Sequence, residues 1–174
     1  MIYGGVQKNI GPAGVVIAII REDLITEDVL EGTPTMLTYK THADAKSLYN
    51  TPPAYGIYIC GKVFKWLKKQ GGLEAMGKLN AAKAKVVYDA IDNSDGFYRG
   101  RAEAKDRSLM NVAFNLASPD LEKRFIAEAL AAGFSGLEGH RAIGGIRASI
   151  YNGLTLAAVE ELAGFMEDFR RRNG

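Results

Sequence analysis

Tyr3-Gly4-Gly5-Val6-Gln7-Lys8-Asn9-Ile10-Gly11-Pro12-Ala13-Gly14 runs directly into the β-branched stretch Val15-Val16-Ile17-Ala18-Ile19-Ile20. Four glycines and a proline surround one lysine, and a strand over 15–20 follows. This composition predicts a strand–loop–strand element whose backbone turns tightly and which a ligand can approach closely. Lys8 is then presented with little side-chain bulk around it. A lysine amine held this way can attack a carbonyl wherever its surroundings favour the neutral form. A nucleotide phosphate loop is excluded, because that motif needs Gly-Lys followed by Ser or Thr and then a helix. Here Gln7 precedes the lysine, Asn9 follows it, and a strand comes next. An ordinary surface loop with a solvated lysine remains the competing reading of these residues.

The stretch sits near the start of a 174-residue chain, long enough to bury roughly 70 % of its unfolded surface. Hydrophobic content of 47 % and charged content of 24 % are those of a globular domain. A net charge of +2 gives no reason to expect nucleic acid or a membrane as partner. Cys60 is the only cysteine, which excludes an internal disulfide and fits a reducing compartment, so the cytoplasm is expected. Two histidines and one cysteine offer no metal-binding cluster, and no metal is expected. Neither a membrane span nor a signal peptide is visible. Met1-Ile2-Tyr3 enters the glycine loop with no supporting element before it, so the chain reads as if it begins within a domain.

Further along, Arg21-Glu22-Asp23-Leu24 predicts a short helical turn, and 31–47 reads as irregular and polar. Asn50-Thr51-Pro52-Pro53 stops regular structure and starts a helix, since proline fits a first turn where its missing N–H has no partner. Asn50 and Thr51 can cap that helix, or the N–H groups there can hold an anion. The helix extends to about Gln70, with Tyr55, Ile59, Val63, Trp66 and Leu67 at helical spacing. Lys62, Lys65 and Lys69 line a different, solvated face. After Gly71-Gly72 a second helix carries Leu73, Met76, Ala84, Val87 and Ile91 inward and ends at Asn93-Ser94-Asp95-Gly96.

The remainder reads as α+β. A strand lies within 107–116, a helix begins at Ser118-Pro119 and stops at Gly133, and a short strand falls near 134–137. A strand over 146–151 and a last helix through Leu156, Val159, Ala163 and Met166 complete it. In the 146–151 strand Ile146, Ala148 and Ile150 share one face, and Arg147, Ser149 and Tyr151 the other. An arginine on a rigid strand can clamp a carboxylate through two parallel hydrogen bonds. His140-Arg141 suits a phosphate. Structural arginines in surface salt bridges are the alternative.

Five motifs together, YGGVQKNIGPAG (3–14), SLYNTPP (47–53), VFKWLK (63–68), RSLMNVAF (107–114) and GHRAIGGIRASIYN (139–152), closely resemble the second half of the phosphoserine aminotransferases. The resemblance covers essentially the whole chain. It implies the C-terminal part of a PLP-transferase fold of the aspartate aminotransferase type: α/β, with residues 1–72 finishing a large cofactor-binding domain and 73–174 forming a small α+β domain. It implies pyridoxal 5'-phosphate bound covalently by Lys8, with Gln7 at the cofactor phosphate. Asn50 and Thr51 would reach the cofactor phosphate of the partner in a homodimer. His140 and Arg141 would bind the substrate phosphate across that dimer, and Arg147 the substrate α-carboxylate. The implied reaction moves an amino group between glutamate and 3-phosphohydroxypyruvate, giving 2-oxoglutarate and O-phosphoserine in serine biosynthesis, with a related role in pyridoxine biosynthesis. The family's first half supplies an aspartate for the pyridine nitrogen, but the first aspartate here is Asp23. Little or no activity is therefore expected of this chain alone. A non-catalytic dimerising or phosphate-binding fragment is the alternative.

Overall fold

A computed structural model describes every residue, Met1–Gly174. The chain divides into two compact units, Met1–Lys69 and Gln70–Gly174. In the first, β1 (Ile2–Gly5) and β2 (Val16–Ile19) pair antiparallel, with Ile2 opposite Ile19 and Gly5 opposite Val16. The glycine loop joins them, as expected. A 3-10 turn at Glu22–Leu24 follows the hairpin.

The stretch 31–47 is more ordered than its polarity suggests. It contains a 3-10 turn at Thr35–Leu37 and a helix, α1 (Tyr39–Asp44). No apolar stripe announces α1. The Lys40–Asp44 pair, at 2.9 Å and one turn apart, and a 2.9 Å bond between His42 Nε2 and the Met36 carbonyl hold it. Next comes α2 (Ala54–Lys69), whose buried residues are Gly56 and Cys60. Tyr55 is exposed instead of packed inward, and the lysine row at 62, 65 and 69 is solvated as expected.

The second unit has a core of its own. Helix α3 (Gly72–Asp92) leads to β3 (Arg99–Gly100), β4 (Asn111–Asn115), α4 (Pro119–Ala131), β5 (Glu138–His140), β6 (Gly144–Ser149) and α5 (Leu156–Asn173). The strands form one antiparallel sheet in the order β3-β4-β6-β5. One face is apolar: Val112, Phe114, Ile146 and Ala148 pack with Ala84, Val87 and Ile91 of α3, Phe125 of α4, and Val159, Met166 and Phe169 of α5. Phe125 lies at its centre, with the rings of Tyr98, Phe114, Phe165 and Phe169 in edge-on contact at 5.1–6.0 Å. Such contacts add specific geometry to a large apolar burial.

Local sequence accounts for the helix starts. Ser118 Oγ accepts from Leu121 N at 3.2 Å with Pro119 behind it, and Thr155 Oγ1 accepts from Ala158 N at 3.2 Å. Leu73, expected in the apolar stripe of α3, is 88 % exposed, while Met76, one turn on, is buried. The strand expected near 134–137 forms instead at 138–140. Leu137 is buried, but it belongs to the connection, and its carbonyl accepts Arg147 N at 2.9 Å. No helix is long and apolar enough to cross a membrane.

Candidate active site

The loop between β1 and β2 is pinned at both ends. Val6 N donates to Val15 O at 3.0 Å, and Lys8 N donates to Gly11 O at 3.2 Å. Val6 is buried, so the turn is anchored in the unit, while Gln7 and Lys8 stand exposed above it. Lys8 has φ of 144°, a conformation that residues with a β-carbon avoid. Strain of this kind costs about 1–3 kcal/mol and persists only where the surroundings impose it. The loop that carries it is packed closely on α2. A β-carbon on Gly11 would lie 2.5 Å from Cys60 Sγ, and one on Gly56 would lie 2.7 Å from Val15 Cγ2. Glycines at both points let loop and helix meet closely.

Asn50 and Thr51 are exposed in the turn that precedes α2. The Asn50 side chain donates Nδ2 to the Thr51 carbonyl at 3.1 Å, and the helix begins three residues later. Neither side chain caps α2.

In the second unit the polar face of the sheet carries the other candidates. Arg147 pairs in register with Ala113, a small neighbour. Its Nε is buried with no hydrogen-bond partner. A buried guanidinium nitrogen without an acceptor can be completed by a water or by an anion, and Arg107 Nε is in the same state. Next along this face, Ser149 Oγ and Tyr151 Oη both donate to Asn111 Oδ1 at 3.1 Å. His140 ends β5, and Arg141 opens the three-residue tip that returns as β6. Gly144 and Gly145, with φ of 61° and 77°, make that return possible. His140 Nδ1 accepts from Ala142 N at 3.2 Å, so a neutral ring carries its hydrogen on Nε2, as a donor.

Two residues that sequence reasoning passed over hold these pieces. Arg101 donates to the Ile143 carbonyl and to Asn115 Oδ1, each at 2.6 Å, tying the β5–β6 tip to the sheet. Lys83, fully buried on α3, reaches the turn after β6. Its place on the α3 face shared with Met76, Ala84 and Val87 was the only sequence signal.

The family model for aminotransferase class-V matches residues 1–162. The chain belongs to the class-V aminotransferases. Among class-V relatives, the phosphoserine aminotransferase of Lysinibacillus sphaericus is 57 % identical over 173 residues, 99 % of this chain and 48 % of that protein. The solved phosphoserine aminotransferase from Bacillus circulans subsp. alkalophilus superposes with a TM-score of 0.95 at 50 % identity, covering 99 % of this chain and 47 % of that one. A pyridoxal-phosphate-bound phosphoserine aminotransferase from Trichomonas vaginalis gives a TM-score of 0.90 at 35 % identity, over 95 % of this chain and 47 % of that one. The chain thus spans about half the length of the class-V relatives it matches. The mixed α/β fold expected from the sequence is the fold of these enzymes over that length.

Proposed function

We propose that this chain is part of a pyridoxal-phosphate-dependent transaminase that passes the amino group of glutamate to 3-phosphohydroxypyruvate, giving O-phosphoserine and 2-oxoglutarate. The observation that carries the reading is 57 % identity to a phosphoserine aminotransferase across 99 % of the chain. In this reading residues 1–72 complete a cofactor-binding large domain and 73–174 form the small domain. The whole enzyme is a cytoplasmic homodimer acting in serine and pyridoxine biosynthesis.

The residues present fit the cofactor and its substrates. Lys8 offers an amine on a backbone fixed at φ of 144°, and Gln7 offers an amide beside it. Arg147 offers a buried nitrogen that lacks an acceptor. Pyridoxal phosphate, when bound, supplies an aldehyde for amine exchange and a ring that delocalises the electron pair left on the substrate α-carbon. Lys8 would hold the cofactor through Nζ, and its amine would move the proton at the substrate α-carbon. Gln7 binds the cofactor phosphate, and Asn50 with Thr51 binds that of the partner subunit. Arg147 grips the α-carboxylate common to all substrates through paired N–H donors, which orients the α-carbon toward the amine. His140 Nε2–H and Arg141 bind the substrate phosphate across the dimer.

The test uses the complete polypeptide with pyridoxal phosphate and borohydride. Mass mapping should find the label on Lys8, and Lys8→Ala should abolish transamination. The 174-residue chain alone should turn over little or nothing. An unlabelled Lys8 in the complete protein would overturn the assignment. Arg141-dependent phosphate binding without such labelling would instead establish a phosphate-binding module.

A further inference from the structure

The second unit buries one lysine completely. Lys83 on α3 has no exposed surface, and Nζ donates to three backbone carbonyls: Ile150 at 3.1 Å, Tyr151 at 2.8 Å and Leu154 at 3.1 Å. An ammonium has three donors, and each is used. Asn80, one turn earlier and almost as buried, donates Nδ2 to Asn152 Oδ1 at 2.8 Å. Ile150, Tyr151, Asn152 and Leu154 are therefore all held from α3. These residues form the turn in which β6 passes into α5.

Packing alone gives no reason for this arrangement. An ammonium without a carboxylate partner is expensive to bury, and desolvation pulls the pKa of Lys83 below its ordinary value. A methionine would fill the same space without burying a charge, but it would take the donor from three carbonyls. What the ammonium adds is a fixed position for three carbonyls. The first belongs to the residue three places after Arg147, on the same run of chain.

The start of β6 is held on both sides, by β4 and by β5. Arg147 is the last residue so held, opposite Ala113 on one side and donating N–H to the Leu137 carbonyl at 2.9 Å on the other. Beyond Arg147 the strand pairs with β4, through Asn111 opposite Ser149 and Ile150 N on the Met110 carbonyl. There α3 supplies the second support. We infer that Lys83, assisted by Asn80, is a positioning residue for Arg147: it fixes the far end of β6 and so the point at which the guanidinium meets a carboxylate. This rests on Arg147 as the carboxylate clamp. A two-pronged clamp tolerates little displacement, so loosening the turn should weaken substrate binding without touching the amine chemistry of Lys8.

The test measures steady-state transamination by the complete holoenzyme. Lys83→Met keeps length and volume and removes the charge. It should raise the KM for glutamate about tenfold, with kcat and cofactor content within about twofold of the parent. Should Lys83→Met fail to fold, Asn80→Leu loosens the same turn without removing a charge. It should raise the same KM about threefold, the shift one lost hydrogen bond gives. Arg147→Ala is measured alongside. If Arg147→Ala raises KM while folded Lys83→Met or Asn80→Leu only lowers the melting temperature, Lys83 is a structural residue and the inference is overturned. If Arg147→Ala leaves KM unchanged, the clamp itself is wrong and the inference falls with it.

Discussion

Gly11 and Cys60 touch so closely that a β-carbon on residue 11 would lie 2.5 Å from Sγ and 3.0 Å from Val6 Cγ2. The contact seats the glycine loop on α2, three residues from the strained backbone of Lys8. Gly11→Ala should push the loop off the helix and relax Lys8. In the complete protein the expected outcome is loss of borohydride-trapped cofactor on Lys8. Cys60→Ala alone should label normally. The double variant Gly11→Ala/Cys60→Ala should recover part of the labelling, because removing the thiol makes room and the two changes are coupled. Equal labelling in Gly11→Ala and the parent would show that the contact does not set the lysine.

Arg147 and Arg141 should separate by substrate. Under the proposed function, Arg147→Ala removes the grip on a carboxylate that every substrate carries. Hydrogen bonds to charged groups contribute about 1.5–3 kcal/mol each, so KM should rise about 10- to 100-fold for glutamate and for the phosphorylated keto acid alike. Arg141→Ala should raise KM for the phosphorylated substrate about tenfold and leave glutamate nearly unchanged. Steady-state kinetics with each substrate varied in turn decides it. Equal losses in Arg141→Ala would contradict its assignment to phosphate.

Local rules were enough for much of this fold. Ser118-Pro119 announces α4, the alternation of Ile146, Ala148 and Ile150 gives the inner face of β6 and of the residue after it, and the glycine loop joins two strands. Helix α1 was hidden because its support is ionic and local, with no apolar period to read. The shift of β5 to 138–140 has a similar cause: Phe134 and Leu137 are apolar because they pack on the core from a connection, not because they form a strand. At the candidate site, residue types singled out Lys8 and Arg147 but left a solvated loop lysine and a structural arginine open beside them. Sequence could not reveal that Lys8 would take a positive φ, since nothing marks a non-glycine residue for it. Lys83 was missed for a related reason. A lysine reads as surface until three carbonyls converge on it.

The two units differ sharply in what they bury, and this predicts different behaviour in isolation. In Met1–Lys69 the only buried apolar side chains are Val6 and Cys60, while Ile2, Tyr3, Val16, Ile19, Leu30 and Leu37 are exposed. A two-stranded hairpin with so little core is not independently stable. Expressed alone, residues 1–69 should give no cooperative thermal transition by calorimetry. Residues 70–174 should unfold in one transition, and Phe125→Ala should cost about 3–5 kcal/mol in urea titration. A cooperative transition from the first segment, or none from the second, would contradict this division of the core.

Acid should act on the second unit through Asp92. Arg107 donates Nη1 to Asp92 Oδ2 at 2.6 Å and Nη2 to Oδ1 at 2.7 Å, and its guanidinium lies 4.4 Å from the centre of the Tyr88 ring. The hydrogen bonds from Arg107, with its charge behind them, hold the Asp92 carboxyl below its ordinary value. A carboxyl with a depressed folded-state pKa binds protons less readily folded than unfolded. Its stabilisation is therefore complete above the unfolded aspartate value of about 3.9 and is lost as pH falls through the lower folded value. Asp92 is half exposed, so the pair should contribute on the order of 1 kcal/mol or less at neutral pH. Urea titrations of residues 70–174 at a series of pH values below 5 measure this. The parent should lose stability more steeply than Asp92→Asn, and the two curves should converge at the acid end. Parallel curves would mean that the bidentate pair adds nothing to folding.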